Sequence, residues 1–165
     1  MINTIEWNKY KIGEIFNSYL SKDDIQSKNI VDGDVPLVSS GKENNGIVAY
    51  INDPNSKIWS SNTITVDMFG KAFYQANQYH CVSHGRVNIL EPKFNLSSNV
   101  LLYIVAVIEK VAAVKYDFDN MCTGKKLLND EIYLPSFNNQ PDWNYMENYM
   151  KTIEKNVRTK VLALA

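Results

Sequence analysis

The sequence predicts an α+β fold, a single domain with a twisted, mostly antiparallel sheet flanked by helices and one more helix at the C-terminus. Three stretches predict it. Asn62 to Leu90 holds three strand-like pieces, Ile64 to Val66, Ala72 to Gln75 and Arg86 to Leu90, rich in β-branched or aromatic residues and parted by turn-forming Gly70, Asn77 and Gly85. That pattern reads as a β-meander. Asn99 to Lys115 is apolar nearly all round, the profile of a helix buried on more than one side. From Asp142 onward, apolar residues recur at alternating steps of four and three.

The 165 residues, 45% of them hydrophobic, suffice for one domain with a real core and are too few for two of ordinary size. The expected division is a domain over 1–140 and an appended helix over 141–165. No apolar run approaches the roughly 20 residues that span a bilayer, and MINTIEWNKYKIGEIF lacks the layout of a signal peptide. Only two cysteines occur, Cys81 and Cys122, in no pairing motif, so reduced thiols and a cytoplasmic location are expected. A net charge of -1 is low for an isolated nucleic-acid binder, although Lys71, Arg86 and Lys93 make one stretch locally positive.

In chain order, WNKYKIGEIF (Trp7 to Phe16) alternates apolar and polar residues and closes in a helix-like turn, with Trp7 and Phe16 expected in the core. Ser21 to Asp34 is a polar helix or loop. Val35 to Ser39 is a short strand that Pro36 confines to an edge or a start. Ser39 to Gly46, SSGKENNG, is almost all turn formers, as a solvated loop would also be. Ile47 to Ile51 is a strand, and Asn52-Asp53-Pro54-Asn55 a turn. After the meander and the apolar helix, Asn120 to Lys126 reads as a loop with Lys125 and Lys126 at its tip. Asp142 is the N-cap of the last helix.

Several of these motifs carry a resemblance. ITVDMFG followed by AFYQ, the opening Trp7 with Ile12-Gly13-Glu14-Ile15-Phe16, Asn45-Gly46-Ile47, and Thr123-Gly124 ahead of Leu127, Ile132, Leu134 and Pro135 resemble the DNA target recognition domain of restriction-modification specificity subunits, type I or their type IIB/IIG relatives. The resemblance covers about Ile5 to Pro135. The segment SFNNQPDWNYMENYM departs from the type I pattern and looks closer to the type IIB/IIG relatives. The resemblance implies a non-catalytic module that binds double-stranded DNA and directs a DNA methyltransferase (modification) subunit, with a restriction subunit as a further candidate partner. S-adenosylmethionine and Mg²⁺ would belong to those partners, and no cofactor to this chain. No second copy of the pattern occurs, whereas full subunits carry two recognition domains, so a half-length subunit or a fragment is expected.

Direct readout needs donors and acceptors that match base edges: Arg to guanine, Asn or Gln to adenine. Asn44, Asn45, Gln75, Asn77 and Arg86 have that chemistry; Ser39, Ser40, Lys42, Lys71, Lys125 and Lys126 suit phosphates. Tyr74, His84 and Thr123 complete the candidate set. On the terminal helix, Met146, Met150, Ile153, Val157 and Leu164 have the spacing of a coiled-coil seam, interrupted by Lys160. It predicts a homodimer, or a helix that needs a partner subunit; a helix folded back on its own domain fits the same spacing.

Other chemistries fit less well. Asp67 with Glu91-Pro92-Lys93 offers two carboxylates and a lysine of the kind a metal-dependent nuclease uses, but a proline inside the motif disturbs the ladder where rigidity is needed. His80, Cys81 and His84 would need a helix to converge on zinc, and Cys122 is distant. Asp53-Pro54 lacks the second proline and the aromatic of an amino-methyltransferase motif. The alternative from another class is a protein-interaction or inhibitory module on the same fold, favoured by the near-neutral charge.

Overall fold

The computed structural model describes residues 6–26 and 30–163. In chain order its elements are β1 (Glu6–Lys11), α1 (Ile12–Ile15), β2 (Phe16–Leu20), β3 (Asp32–Val38), β4 (Ile47–Ile51), β5 (Thr63–Val66), β6 (Ala72–Gln75), β7 (His80–Cys81), β8 (Asn88–Pro92), α2 (Ser98–Ala112), α3 (Gly124–Asn129), β9 (Glu131–Phe137), β10 (Gln140–Pro141) and α4 (Trp143–Leu162).

The three strands expected as a meander do enter one central antiparallel sheet, but its order is β2-β8-β5-β6. β8 returns beside β5 and not β6, because β7, between them in the chain, leaves to pair with β3. The stretch is therefore not a meander, and Arg86 lies in the turn before β8. Every residue of β5 is buried because both faces of the sheet are covered. Ile64 and Val66 join the main core with Val100, Leu101, Ile104, Ile108 and Ala112 of α2. On the opposite face Thr63 Oγ1 meets the Tyr79 hydroxyl at 3.0 Å, and Ile89 packs with Val38, Trp59, Tyr79, Cys81 and Val87. The larger buried apolar side chains of α2 each contribute about 1.5 to 3 kcal/mol by leaving water. Ser97 caps this helix by accepting from Val100 N at 3.3 Å. Gly70, at φ 81°, turns the chain where a Cβ would stand 2.9 Å from the carbonyl oxygen of Ala112, so only glycine fits.

Two smaller sheets flank this centre. β4-β3-β7 is antiparallel on one side and parallel between β3 and β7. Pro36 therefore lies in a middle strand, not at an edge or a start. It is tolerated because β7 pairs only with Leu37 and Val38, leaving the ladder open beside the proline. β1-β9-β10 closes the other end, and Asn138 and Asn139, both at positive φ, make the two-residue turn between β9 and β10. SFNNQP is thus a hairpin that delivers the chain to α4, where Asp142 Oδ1 accepts from Tyr145 N at 2.9 Å.

Several expectations change. Phe16 is fully buried, but Trp7 is half exposed, since β1 lies on β9 with its outer face uncovered. Ser21 to Asp34 contains no helix among its described residues and ends in β3. Asn120 to Lys126 is a loop only as far as Thr123, which caps α3 by accepting from Lys126 N, so Lys125 and Lys126 sit in the first helical turn. Met146 is not a seam residue: it is fully buried in the domain's own core. Tyr149 packs edge-on against Tyr103 of α2, ring centroids 5.7 Å apart, and Met150 and Ile153 face α2 across an apolar groove. Residues 151–163 are exposed throughout, including Val157, while Leu164 lies outside the described residues.

Candidate nucleic-acid interface

Three segments far apart in the chain interlock on one face. The loop 39–46 folds on itself through Ser39 N to Gly46 O at 2.9 Å and Gly46 N to Glu43 O at 2.8 Å, with Asn44 and Asn45 both left-handed at its tip. The turn 83–86 packs beside it so closely that a Cβ on Gly85 would stand 2.9 Å from Ser39 Oγ and 3.1 Å from Ser40 N. Arg86, at φ 48°, extends its exposed guanidinium to Met121, with Nη1 3.2 Å from the sulfur. Lys126 Nζ donates back to Asn120 Oδ1 at 2.6 Å and to the Met121 carbonyl at 3.1 Å. Ser39, Ser40, Arg86 and Lys126 therefore share one continuous surface, with Thr123 and Lys125 at its margin. Lys42 is exposed on the same loop, and His84 lies on the turn, 3.8 Å from Asp24.

Other candidates are placed elsewhere. Gln75 is only 4% exposed; its Nε2 donates to the Asn45 carbonyl and to Thr65 Oγ1, both at 2.9 Å, so it pins the loop from beneath and is not presented to a ligand. Tyr74 donates its hydroxyl to Asn62 Oδ1 at 3.0 Å. The Lys71 ammonium is paired with Glu109, which fastens the β5–β6 turn to α2 and occupies the charge expected for phosphate. Asn45 and Asn77 line a separate depression beside α2, and Asn77 is exposed.

The reactive groups are engaged in the fold. Asp67 is buried, and its Oδ1 accepts from Phe69 N and Lys71 N at 2.9 Å each. The β5–β8 ladder pairs Ile64 with Leu90 and Val66 with Asn88, so Glu91 and Asp67 lie one position beyond its opposite ends. Four ladder positions, about 13 Å of backbone, separate the two residues, too far for one metal ion. His80 is buried with Nδ1 3.0 Å from the Lys57 carbonyl. Burial pushes the Cys81 and Cys122 thiols up to about 12, which keeps them protonated and poor ligands near neutral pH. Among the described residues no group of three or more His, Cys, Asp or Glu is placed to hold a metal ion.

A feature that sequence reading did not reach is a groove of about 1070 Å³ bordering this face. Tyr19, Lys22, Lys57 and Trp59 line it together with Thr123 and Lys125. Segments separated by up to about a hundred residues build it, so no local motif announces it.

A family model described as "Type I restriction modification DNA specificity domain" matches residues 4–163. Over 162 residues the chain is 28% identical to the "Type II restriction enzyme BgcI specificity subunit S.BcgI" of Heyndrickxia coagulans, covering 95% of this chain and 46% of that protein. In fold it is similar to the type I restriction-modification S subunit of M. genitalium, at a TM-score of 0.63 and 16% identity, with 96% of this chain and 42% of that one covered. A chain from a structure of the type I R-M system, concerned with complex assembly and conformational transition, matches at 0.66 and 19% identity, covering 95% and 40%. The chain spans less than half the length of each of these relatives.

Proposed function

Because the chain belongs to the family of type I restriction modification DNA specificity domains, we propose that it reads a DNA sequence on behalf of partner subunits that modify or cut. The observation that carries this is the convergence of the 39–46 loop, the 83–86 turn and the Asn120–Lys126 segment on one face. Function concentrates on loops held by a rigid scaffold, and here a core closed on both sides of β5 supplies the rigidity. The exposed and half-buried groups of this face divide by chemistry. Arg86 and Asn44 suit base edges in the major groove; Ser39, Ser40, Lys42, Lys125 and Lys126 suit phosphates, which position a protein without specifying sequence. The chain itself contributes no turnover in this reading, and methyl donor and Mg²⁺ belong to a methyltransferase or restriction partner.

We further propose that the exposed half of α4 is the assembly device. Val157, Val161 and Leu162 are exposed on a helix of 20 residues, about 30 Å long, whose first turns are anchored by Met146. A seam so placed would join two copies, or one copy and the corresponding helix of a partner, and set two recognition faces on the halves of a split site. Selection of bound sequences from a random duplex library tests the reading. An enriched motif that Arg86→Ala blurs at one position is expected, with discrimination there falling by about 1 to 3 kcal/mol, the worth of one bidentate side chain–base pair. Retention of duplexes without any base preference, alone and with a methyltransferase subunit, would refute it and favour a protein-interaction module.

A further inference from the structure

We infer that the groove beside the loop face is a second contact surface for DNA, a channel for the sugar–phosphate backbone flanking the read bases, with Lys22 and Lys57 as phosphate ligands. The inference rests on the DNA-reading proposal and extends it to residues outside the loops. β2 and the segment after it supply Ser18, Tyr19, Leu20, Lys22 and Asp23, the turn before Trp59 supplies Lys57, and α3 supplies the far wall with Lys125.

The charges favour an anion. Lys22, Lys57 and Lys125 are exposed, and none has a carboxylate within ion-pair distance among the described residues, unlike Lys9, Lys71, Lys115, Lys151 and Arg158. The one acid among the described lining residues, Asp23, is turned to the backbone, where its Oδ2 accepts from Lys57 N at 2.9 Å. Behind the same wall the Trp59 indole N–H and the Ser18 hydroxyl are closed off from solvent and have no hydrogen-bond partner among the described residues. A phosphate oxygen accepts from the lysine ammonium groups.

The geometry favours backbone over base. Lys57 Nζ lies 3.5 Å from the Trp59 ring centroid, so that ring is already covered by a cation, and of the two aromatic rings in the lining only Tyr19 is exposed. The groove is also continuous with the reading face at two points. Ser83 N donates to the Asp23 carbonyl at 2.9 Å, tying the groove rim to the 83–86 turn. At the other end Gly124 approaches β2 so closely that a Cβ would stand 2.8 Å from Ser18 Oγ, which joins the groove wall to the Thr123 to Lys126 segment. The rim between the reading face and the groove carries an exposed carboxylate, Asp24, 3.8 Å from His84 Nδ1.

The test is the salt dependence of binding of the full chain to a mixed-sequence duplex, for wild type, K22A/K57A, K22R/K57R and R86A/K126A. Each phosphate neutralised contributes a slope of about 0.9 in log K against log salt, so K22A/K57A should lower the slope by about 1.8. Across a fourfold rise in salt, wild type should then lose about 12-fold more affinity than this variant. K22R/K57R should restore the slope, and the base preference should stay as in wild type. An unchanged slope in K22A/K57A while R86A/K126A weakens binding would overturn the groove and leave the loop face standing. If instead K22A/K57A keeps its DNA slope but loses a methyltransferase subunit from its complex, the groove is a protein-binding surface and the inference fails. No effect of any variant on DNA binding would refute the DNA reading itself.

Discussion

Gln75→Ala should destabilise the fold and leave the preferred DNA sequence unchanged once folding is restored. The side chain is 4% exposed, and its amide makes two hydrogen bonds, to the Asn45 carbonyl and to Thr65 Oγ1. Each is worth about 0.5 to 1.5 kcal/mol net. The Asn45 carbonyl sits on an exposed loop and can turn to water, but Thr65 is 2% exposed and keeps only a long hydrogen bond of 3.5 Å to the Phe73 carbonyl. Leaving that hydroxyl poorly satisfied adds a further cost, and removal of the buried methylene about 0.8 kcal/mol. The total is about 2 to 4 kcal/mol, readable as a lower urea midpoint at unchanged slope. Amide exchange should also quicken in residues 44–46, which are no longer anchored. An unaltered midpoint together with a changed base preference would show that Gln75 reaches a base, and the assignment of this residue as a pin would be wrong.

The two halves of α4 should respond oppositely to substitution. Met146→Ala should cost about 2 to 5 kcal/mol in monomer stability, whereas Val157→Asp with Val161→Asp, at positions 54% and 59% exposed, should leave unfolding nearly unchanged and abolish self-association or partner binding in sedimentation. A wild-type chain that stays monomeric at high concentration and binds no partner through this helix would contradict the seam. Glu147 gives a pH dependence. Hydrogen bonds from Ser97, Lys151 and Asn99 hold its carboxyl down at about 2, so its contribution to docking α4 on α2 is complete above the ordinary carboxylate range and is lost as pH falls toward 2. Glu147→Gln should therefore melt below wild type at neutral pH, with the gap closing between about pH 4.5 and 2. A gap that ignores pH would remove the charge from the explanation.

The elements with strong local signals were legible in the sequence. The strands of the Asn62 to Leu90 stretch followed from β-branched runs between Gly70, Asn77 and Gly85, though not their order, since β8 pairs with β5 where a meander would pair it with β6. The apolar α2 followed from its composition, and the motifs around ITVDMFG pointed to the family the chain matches. What stayed hidden depends on partners distant in sequence. Gln75 looks like a base-reading donor because its own strand does not reveal that Asn45 and Thr65 will take the amide. Lys71 looks like a phosphate ligand until α2 folds back and offers Glu109. Met146 fits a heptad as well as a core, and the core takes it because α2 lies across the helix it occupies. Pro36 shows the same limit: it excludes a full central ladder, but the shortness of β7 that makes it harmless is a tertiary fact. The Lys22 and Lys57 groove needs β2, the Asn52 to Trp59 segment and α3 together, and no window of the sequence contains all three.

The most direct test of where DNA is met is a backbone amide chemical-shift titration of this 18.9 kDa chain with duplex DNA at low salt. Shifts should concentrate in 39–46, 83–86 and 120–126, extend into 18–23 and 57–59, and spare 151–163. Shifts confined to α4 and the apolar groove beside it, or none at saturating duplex, would contradict the account.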